Sequence, residues 1–478
     1  MKKNNSLLLF VMPAAVPLLL ILFSFLKSGW GWTLVNDYQF LTLGTNFGER
    51  LHGLYFLFMD YGQLKWTQLL RYAFAYTAFA NAPKYFFIYQ WIEIVTMFGV
   101  WGMLAYRLTG KKIALFLMPT VVLSSRCFYD AFFFPSLGDN IAMLIFGLGL
   151  LALVHAVSLV KGNWKVSKRQ LWLWALVFFF LALGAMEFTL AGIMAAGFAL
   201  CWLYKVRRDQ NRQILVAGIA LVVAGFLYGL FLKTFIAHGS TSIYRITDIH
   251  KIFFNLSSWA KYVFKLQALW LLAGGVVLFK AWSKDYWSRY SLAERFGIVI
   301  GIFMYALWLA VLLPWSAYGY HAVPLVIVFG FLMAVILASP LEELDERWLG
   351  AIAMLMLVFN LMIAQQQVYN ATLYNSEIQR TLYFIEGNSS LQQAAREGKV
   401  FCDQFEPSAS LPYWANRQIG LDLKQFVFEE DPLIAAQKGA QYYVFMTWGN
   451  TLGIYLTSPG WEPLFVGEFI KVYQRRKL

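Results

Sequence analysis

Apolar residues run along this chain in long blocks separated by short polar junctions, and most blocks have the length of a membrane crossing. A crossing helix needs about 20 mostly apolar residues. Eleven segments qualify in whole or in part: 7–26, 87–106, 112–125, 140–160, 171–186, 188–204, 213–235, 263–280, 296–313, 322–339 and 348–366. The 112–125 segment is short and extends towards Phe132, and the tight break after 186 makes the next two segments a hairpin. Within the loop 27–86, the stretches 46–57 and 65–79 have helical apolar periodicity and a ring of aromatics, including Tyr55, Phe56, Trp66 and Tyr76. That pattern suits helices lying in the plane of the interface. The segment 368–478 is polar enough to fold in water, with strand-like runs such as 441–446 and a helical signal near 376–397. The expected architecture is an all-α polytopic membrane domain of about eleven helices over 1–367 and a small α/β domain over 368–478.

Charge sharpens this picture. Only 14% of residues are charged and 60% are hydrophobic, against about one quarter charged in a soluble domain. The formal net charge of +13 invites a nucleic-acid partner, but the basic residues punctuate apolar blocks instead of forming one stripe, which excludes it. Lys2-Lys3, Arg107 with Lys111-Lys112, Lys161 to Arg169, Lys205 to Arg212, and Lys280 to Arg295 fall on alternate junctions. The positive-inside bias then puts the N-terminus in the cytoplasm of an inner, or plasma, membrane and the C-terminal domain outside. The opening Met1-Lys2-Lys3 before 7–26 resembles a signal peptide but has no small-residue cleavage site, so it reads as an uncleaved first helix. Cys127, Cys201 and Cys402 are too scattered for a metal motif; Cys127–Cys402 is a candidate disulfide on the outer side, with two unpaired thiols as the alternative.

The outer loops collect the residues that carry chemistry. Asp37 follows the first apolar block in "LVNDYQF", where Asn36-Asp37 would also serve as a helix cap. Asp139 stands at the mouth of the 140–160 helix and Asp130 lies nine residues before it; either is also an ordinary cap or loop acid. Arg126 ends an apolar run on the outer face, against the charge bias, as a phosphate fork or a snorkelling side chain. Lys84, Arg71, Lys65 and Arg50 add cations to the first loop. Glu187 interrupts two apolar segments, as a buried functional acid or the mark of a hairpin turn. Tyr318, Tyr320 and His321 cluster before Pro324 as donors for a sugar or phosphate, or as an aromatic belt. The five histidines never pair at zinc-ligand spacing, and no nucleotide-type glycine loop or G-x-S-x-G elbow is present.

Asp37 after the first helix, a long first outer loop with interfacial helices, acids before the fourth helix and a water-facing C-terminal module together resemble the GT-C class of membrane glycosyltransferases. The resemblance covers roughly 1–366 by layout; the paired acids of that class are absent, since Tyr38 follows Asp37, and Gly319-Tyr320-His321 stands where the class has an arginine. It implies an inverting transfer of a sugar from a polyprenyl-phosphate carrier to an envelope lipid, glycan or protein. Asp37 would be the general base and Asp139 or Asp130 the second acid. Arg126, Lys84, Arg71, Tyr320, His321 and Glu187 would form the carrier-binding set. No metal centre is implied, although Asp139 could hold a divalent cation. Two other functions are open at this point. A polysaccharide polymerase or ligase would use His238, Arg245, His250 and Lys251, and a flippase would call for two matching halves with broken helices, which the sequence lacks.

Overall fold

The computed structural model describes residues 5–27, 37–60, 63–133, 139–160, 166–207, 212–236, 255–260, 267, 269–277, 287–313, 322–446 and 460–476. These residues fall into two compact units, one of 1–26, 46–78 and 85–367, the other of 27–45, 79–84 and 368–478.

Among the described residues, nine helices are long and apolar enough to cross a membrane, and a bent pair makes a tenth. The expected count of about eleven is met by ten of its segments among these residues. Ten of the predicted segments coincide with these helices, and 263–280 falls partly outside the described residues, with 269–277 helical. The bent pair is Ile113–Leu123 with Arg126–Phe133, turned by 88°. Its cause is local: Ser125 is extended, so the helix stops at Ser124. A helix end in a membrane must still satisfy its carbonyls. Tyr129 Oη donates to the Leu123 carbonyl (3.2 Å), the Ser124 hydroxyl to that of Val121 (2.6 Å), and Trp270 Nε1 to the Ser124 hydroxyl (2.7 Å).

Helix Val323–Glu342 is apolar all round and buried along almost its whole length, so it forms the centre of the first unit. Polar cross-links tie its neighbours. In helix Asn5–Lys27, Pro17 has no N–H to give to the carbonyl of Pro13. The fully buried Asn360 supplies one, its Nδ2 donating to Pro13 O and to Thr120 O, both at 3.0 Å. The predicted interfacial stretches are helices Phe47–Asp60 and Trp66–Ala78, which pack on each other.

In the second unit a five-stranded sheet has the order β2-β1-β3-β5-β4, with β1 Val400–Cys402, β2 Val427–Phe428, β3 Tyr442–Met446, β4 Trp461–Val466 and β5 Ile470–Arg475. Strand β1 runs parallel to both β2 and β3, which requires helical crossovers, supplied by Phe405–Ile419 and Pro432–Gln437. The first ends at Gly420 in the left-handed conformation (φ 70°), and the second is capped by Asp431, which accepts from Leu433 N at 2.7 Å. Phe401, Tyr443, Phe445, Trp461 and Tyr473 form the core on one side of the sheet. Cys402 is buried in β1, and neither Cys127 nor Cys402 is in a disulfide, so the candidate bridge is not formed.

Helix Glu346–Gly387 runs for 42 residues, well past the predicted end at 366. Its Glu377 is buried and receives three backbone N–H groups from the β4–β5 turn: Glu468 at 3.0 Å, Phe469 at 2.8 Å and Ile470 at 2.6 Å. A Cβ at Gly467 would collide with that carboxylate, so the turn needs glycine there. Hydrogen bonds to a charged group contribute about 1.5–3 kcal/mol each and are not additive. Glu377→Ala is expected to destabilise this unit by about 3 kcal/mol and to open the 461–475 hairpin to limited proteolysis, whereas Glu377→Gln keeps an acceptor oxygen and most of the protection.

Candidate functional site

The helix Trp66–Ala78 and the residue before it carry a polar row on one face. Lys65, Gln68 and Arg71 are spaced three apart, which stacks them along the helix. Helix Lys168–Ala185 pins this row in place. Trp66 stacks on Phe180 with centroids 4.9 Å apart, over Gly184, where any Cβ would enter the indole. Thr67 Oγ1 donates to Leu181 O at 2.8 Å. Glu187, in the turn that follows, accepts from Leu64 N at 2.7 Å and is buried. Glu187 therefore does more than mark a hairpin: it fastens that hairpin to the start of helix Trp66–Ala78.

Arg71 makes the strongest contact. Its Nε donates to Glu93 Oε1 (2.8 Å) and Oε2 (3.1 Å), and its Nη2 to Oε2 (2.6 Å), with both residues buried. The guanidinium also lies 5.4–5.8 Å from the ring centres of Tyr72, Phe86 and Tyr89. Burial alone would favour the neutral form, but the Glu93 charge and its hydrogen bonds outweigh that and raise the Arg71 pKa, so the cation is permanent. Lys65 is different. Burial pulls its pKa below the ordinary lysine value, and the charges of Glu187 and Asp139 only partly offset this. Its ammonium stands 5.6 Å from the Phe58 ring centre.

Asp139 opens helix Asp139–Ala156, is buried, and has Lys65 and Arg71 as its charged neighbours. The next residue, Asn140, donates to Ala131 O at 3.3 Å, which joins this helix end to the bent span. Among the described residues, the buried Gln68 amide has no hydrogen-bond partner for either polar atom, nor has the buried Tyr228 hydroxyl near Glu187. The first unit thus gathers three acids, two cations and a buried amide around helix Trp66–Ala78. Such a cluster can hold an anion against Lys65 and Arg71 while carboxylates stay within reach of a polyol.

The sequence-predicted residues divide accordingly. Asp139, Arg71 and Glu187 come together. Arg126 is exposed, with Asp130 as its charged neighbour, outside the contacts just described. Asp37 and Lys84 belong to the second unit. There Asp37 begins the short helix Asp37–Thr42, which packs against Phe405–Ile419, and its carboxylate is fully buried in the first turn, where the helix dipole favours an anion. Tyr320 and His321 lie outside the described residues, as do His238, Arg245, His250 and Lys251. Among the described residues no three His, Cys, Asp or Glu side chains are placed to hold a metal ion. Glu93 went unnoticed in the sequence, although an acid inside an apolar segment is the signal that finds such residues. Gln68 carried no signal, and Lys65 stood among four equivalent loop cations.

No family model matches this sequence, and no curated protein matches it. Two solved structures are similar to it. One is ArnT from Cupriavidus metallidurans in the apo state, 13% identical over 99% of this chain and 98% of that one, with a TM-score of 0.50. The other is the same protein bound to undecaprenyl phosphate, 12% identical over 97% of each chain, with a TM-score of 0.44. The chain is an integral, multi-pass membrane protein with a small β-containing C-terminal domain, and it has the fold seen in apo ArnT.

Proposed function

We propose that this protein is a glycosyltransferase that moves a sugar from a polyprenyl-phosphate carrier to an acceptor hydroxyl of the cell envelope. The observation that carries the reading is the set of half-buried Lys65 with buried Arg71 and Asp139, with Glu93 and Glu187 behind it, on a fold shared with apo ArnT. A carrier of this kind already has a phosphate at the anomeric carbon, so no nucleotide is needed. The acceptor oxygen attacks that carbon as its bond to the phosphate oxygen breaks. The phosphate leaves with the bonding pair, and configuration inverts. Asp37 takes the acceptor proton as general base. Lys65 and Arg71 offset the charge that gathers on the departing phosphate, with Arg126 and Lys84 as further candidates for it. Asp139 orients the acceptor. The basic junctions put the N-terminus in the cytoplasm, so residues 368–478 face outwards and help to choose the acceptor. The test is to incubate the purified full-length protein with a panel of polyprenyl-phosphate sugars and follow release of the carrier. Turnover of at least one carrier sugar is the expected result, and no binding or consumption of any would remove the reading.

A further inference from the structure

We propose that the basic junction at the other end of the same helices is a binding site for an anionic phospholipid. Helix Lys168–Ala185 has 18 residues and is therefore about 27 Å long. Glu187 follows one end of it and Lys168 begins the other, so this junction and the acid–base cluster lie on opposite sides of the bilayer. The inference does not depend on the reaction or on which side is the cytoplasm.

Four helix ends meet there: the last residues of Asp139–Ala156 and Thr189–Val206, and the first of Lys168–Ala185 and Arg212–Phe231. They enclose a cavity of about 430 Å³ lined by Lys168, Arg169, Arg207, Trp172, Gln213 and Ser158 among others, with no acid among the described residues of its wall. Arg207 is aimed into the junction by its Nη1, which donates to Val157 O at 2.7 Å. A second cavity of about 420 Å³ adjoins it, sharing Trp172 and Gln213, with Arg212 at its rim and Val216 and Ala217 below. The helices that form it expose Leu173, Leu176, Val216 and Ile219 along their apolar length.

The two cavities differ in chemistry as the two parts of a phospholipid do. The first offers cations from two chain segments, arranged to fork on a phosphate. The second continues into surface that lies at hydrocarbon depth. Trp172 stands where they join, the level at which indoles settle in bilayers. A free anion would use only the first cavity, and a polar peptide would leave the second unfilled. Basic pockets between membrane helices hold anionic head groups by these means.

Native mass spectrometry of the full-length protein in detergent tests the site, with phosphatidylglycerol as the anionic probe, phosphatidylcholine as the uncharged control and inorganic phosphate as competitor. In the triple variant K168Q/R169Q/R212Q, phosphatidylglycerol is expected to bind on the order of a hundredfold more weakly, each lost charge contributing about fivefold. Phosphatidylcholine should be unaffected, and millimolar phosphate should not displace the lipid. Equal phosphatidylglycerol affinity in both proteins overturns the proposal, and so does displacement by phosphate alone, which would mark a simple anion site. The wild-type protein gives an independent reading that no folding defect can obscure. A phosphatidylglycerol with a diazirine on its acyl chain should label the peptides around Trp172 and Val216, and labelling confined to other helices rejects the site.

Discussion

Asp37→Asn is expected to abolish sugar transfer while leaving expression and carrier binding close to wild type. The substitution keeps the size of the side chain and one acceptor oxygen but removes the basic carboxylate. Loss of a general base costs about 10²–10⁴ in rate, equivalent to roughly 2.7–5.5 kcal/mol of barrier. The structural cost is smaller. Asp37 is buried in the first turn of a six-residue helix, where its charge contributes up to about 2 kcal/mol through the dipole. Rate and stability therefore separate well, and carrier release with gel filtration of both proteins decides the matter. A variant that turns over like wild type makes Asp37 a bystander and moves the base to Asp139, Asp130 or Glu187.

Lys65→Met should raise the KM for the carrier sugar on the order of a hundredfold, with a smaller effect on kcat. Removing one member of a buried charge group costs about 2–5 kcal/mol, much of it because its partners stay behind. Here those partners are Glu187 and Asp139. Lys65 is a sharper probe than Arg71, because breaking the Arg71–Glu93 pair would itself cost about 3–5 kcal/mol of folding stability. Lys65→Arg keeps the charge and should recover part of the affinity. The acid–base behaviour adds a second readout. Burial lowers the Lys65 pKa, so the ammonium that holds a phosphate is lost at a lower pH than an exposed lysine would lose it. Carrier affinity should then fall on the alkaline side, before ordinary lysines titrate, and Lys65→Arg should flatten that fall. A KM unchanged in Lys65→Met would place the phosphate elsewhere.

Hydropathy made the membrane helices legible because a crossing demands some twenty consecutive apolar residues, a signal that survives without any neighbour. The same signal marks only the apolar part of helix Glu346–Gly387, whose continuation overlaps the separate helical signal near 376–397. Gln365-Gln366-Gln367 ended the apolar run, so the reading stopped at 366, yet nothing there breaks a helix and the backbone continues to Gly387. The sheet was visible only at β3, since β1 has three residues and β2 two, too few to show any alternation. Site residues were harder for a different reason. Asp139 was legible at a helix mouth, but nothing in the chain reveals that Lys65 approaches it, because the approach depends on Trp66 seating over Gly184 in a helix far along the sequence. Glu187 looked like a turn residue because a turn is where it sits; its bond to Leu64 is a tertiary fact.

The pairing of Asn360 with the Pro13 carbonyl has a consequence for biogenesis. The two residues are 347 apart, so the first helix enters the bilayer long before its partner is translated. Until then the carbonyl that Pro17 leaves open has no donor from its own helix and must find water or a passing headgroup. The first membrane segment therefore leaves the ribosome with one carbonyl whose side-chain donor is still to be made, on the last membrane helix.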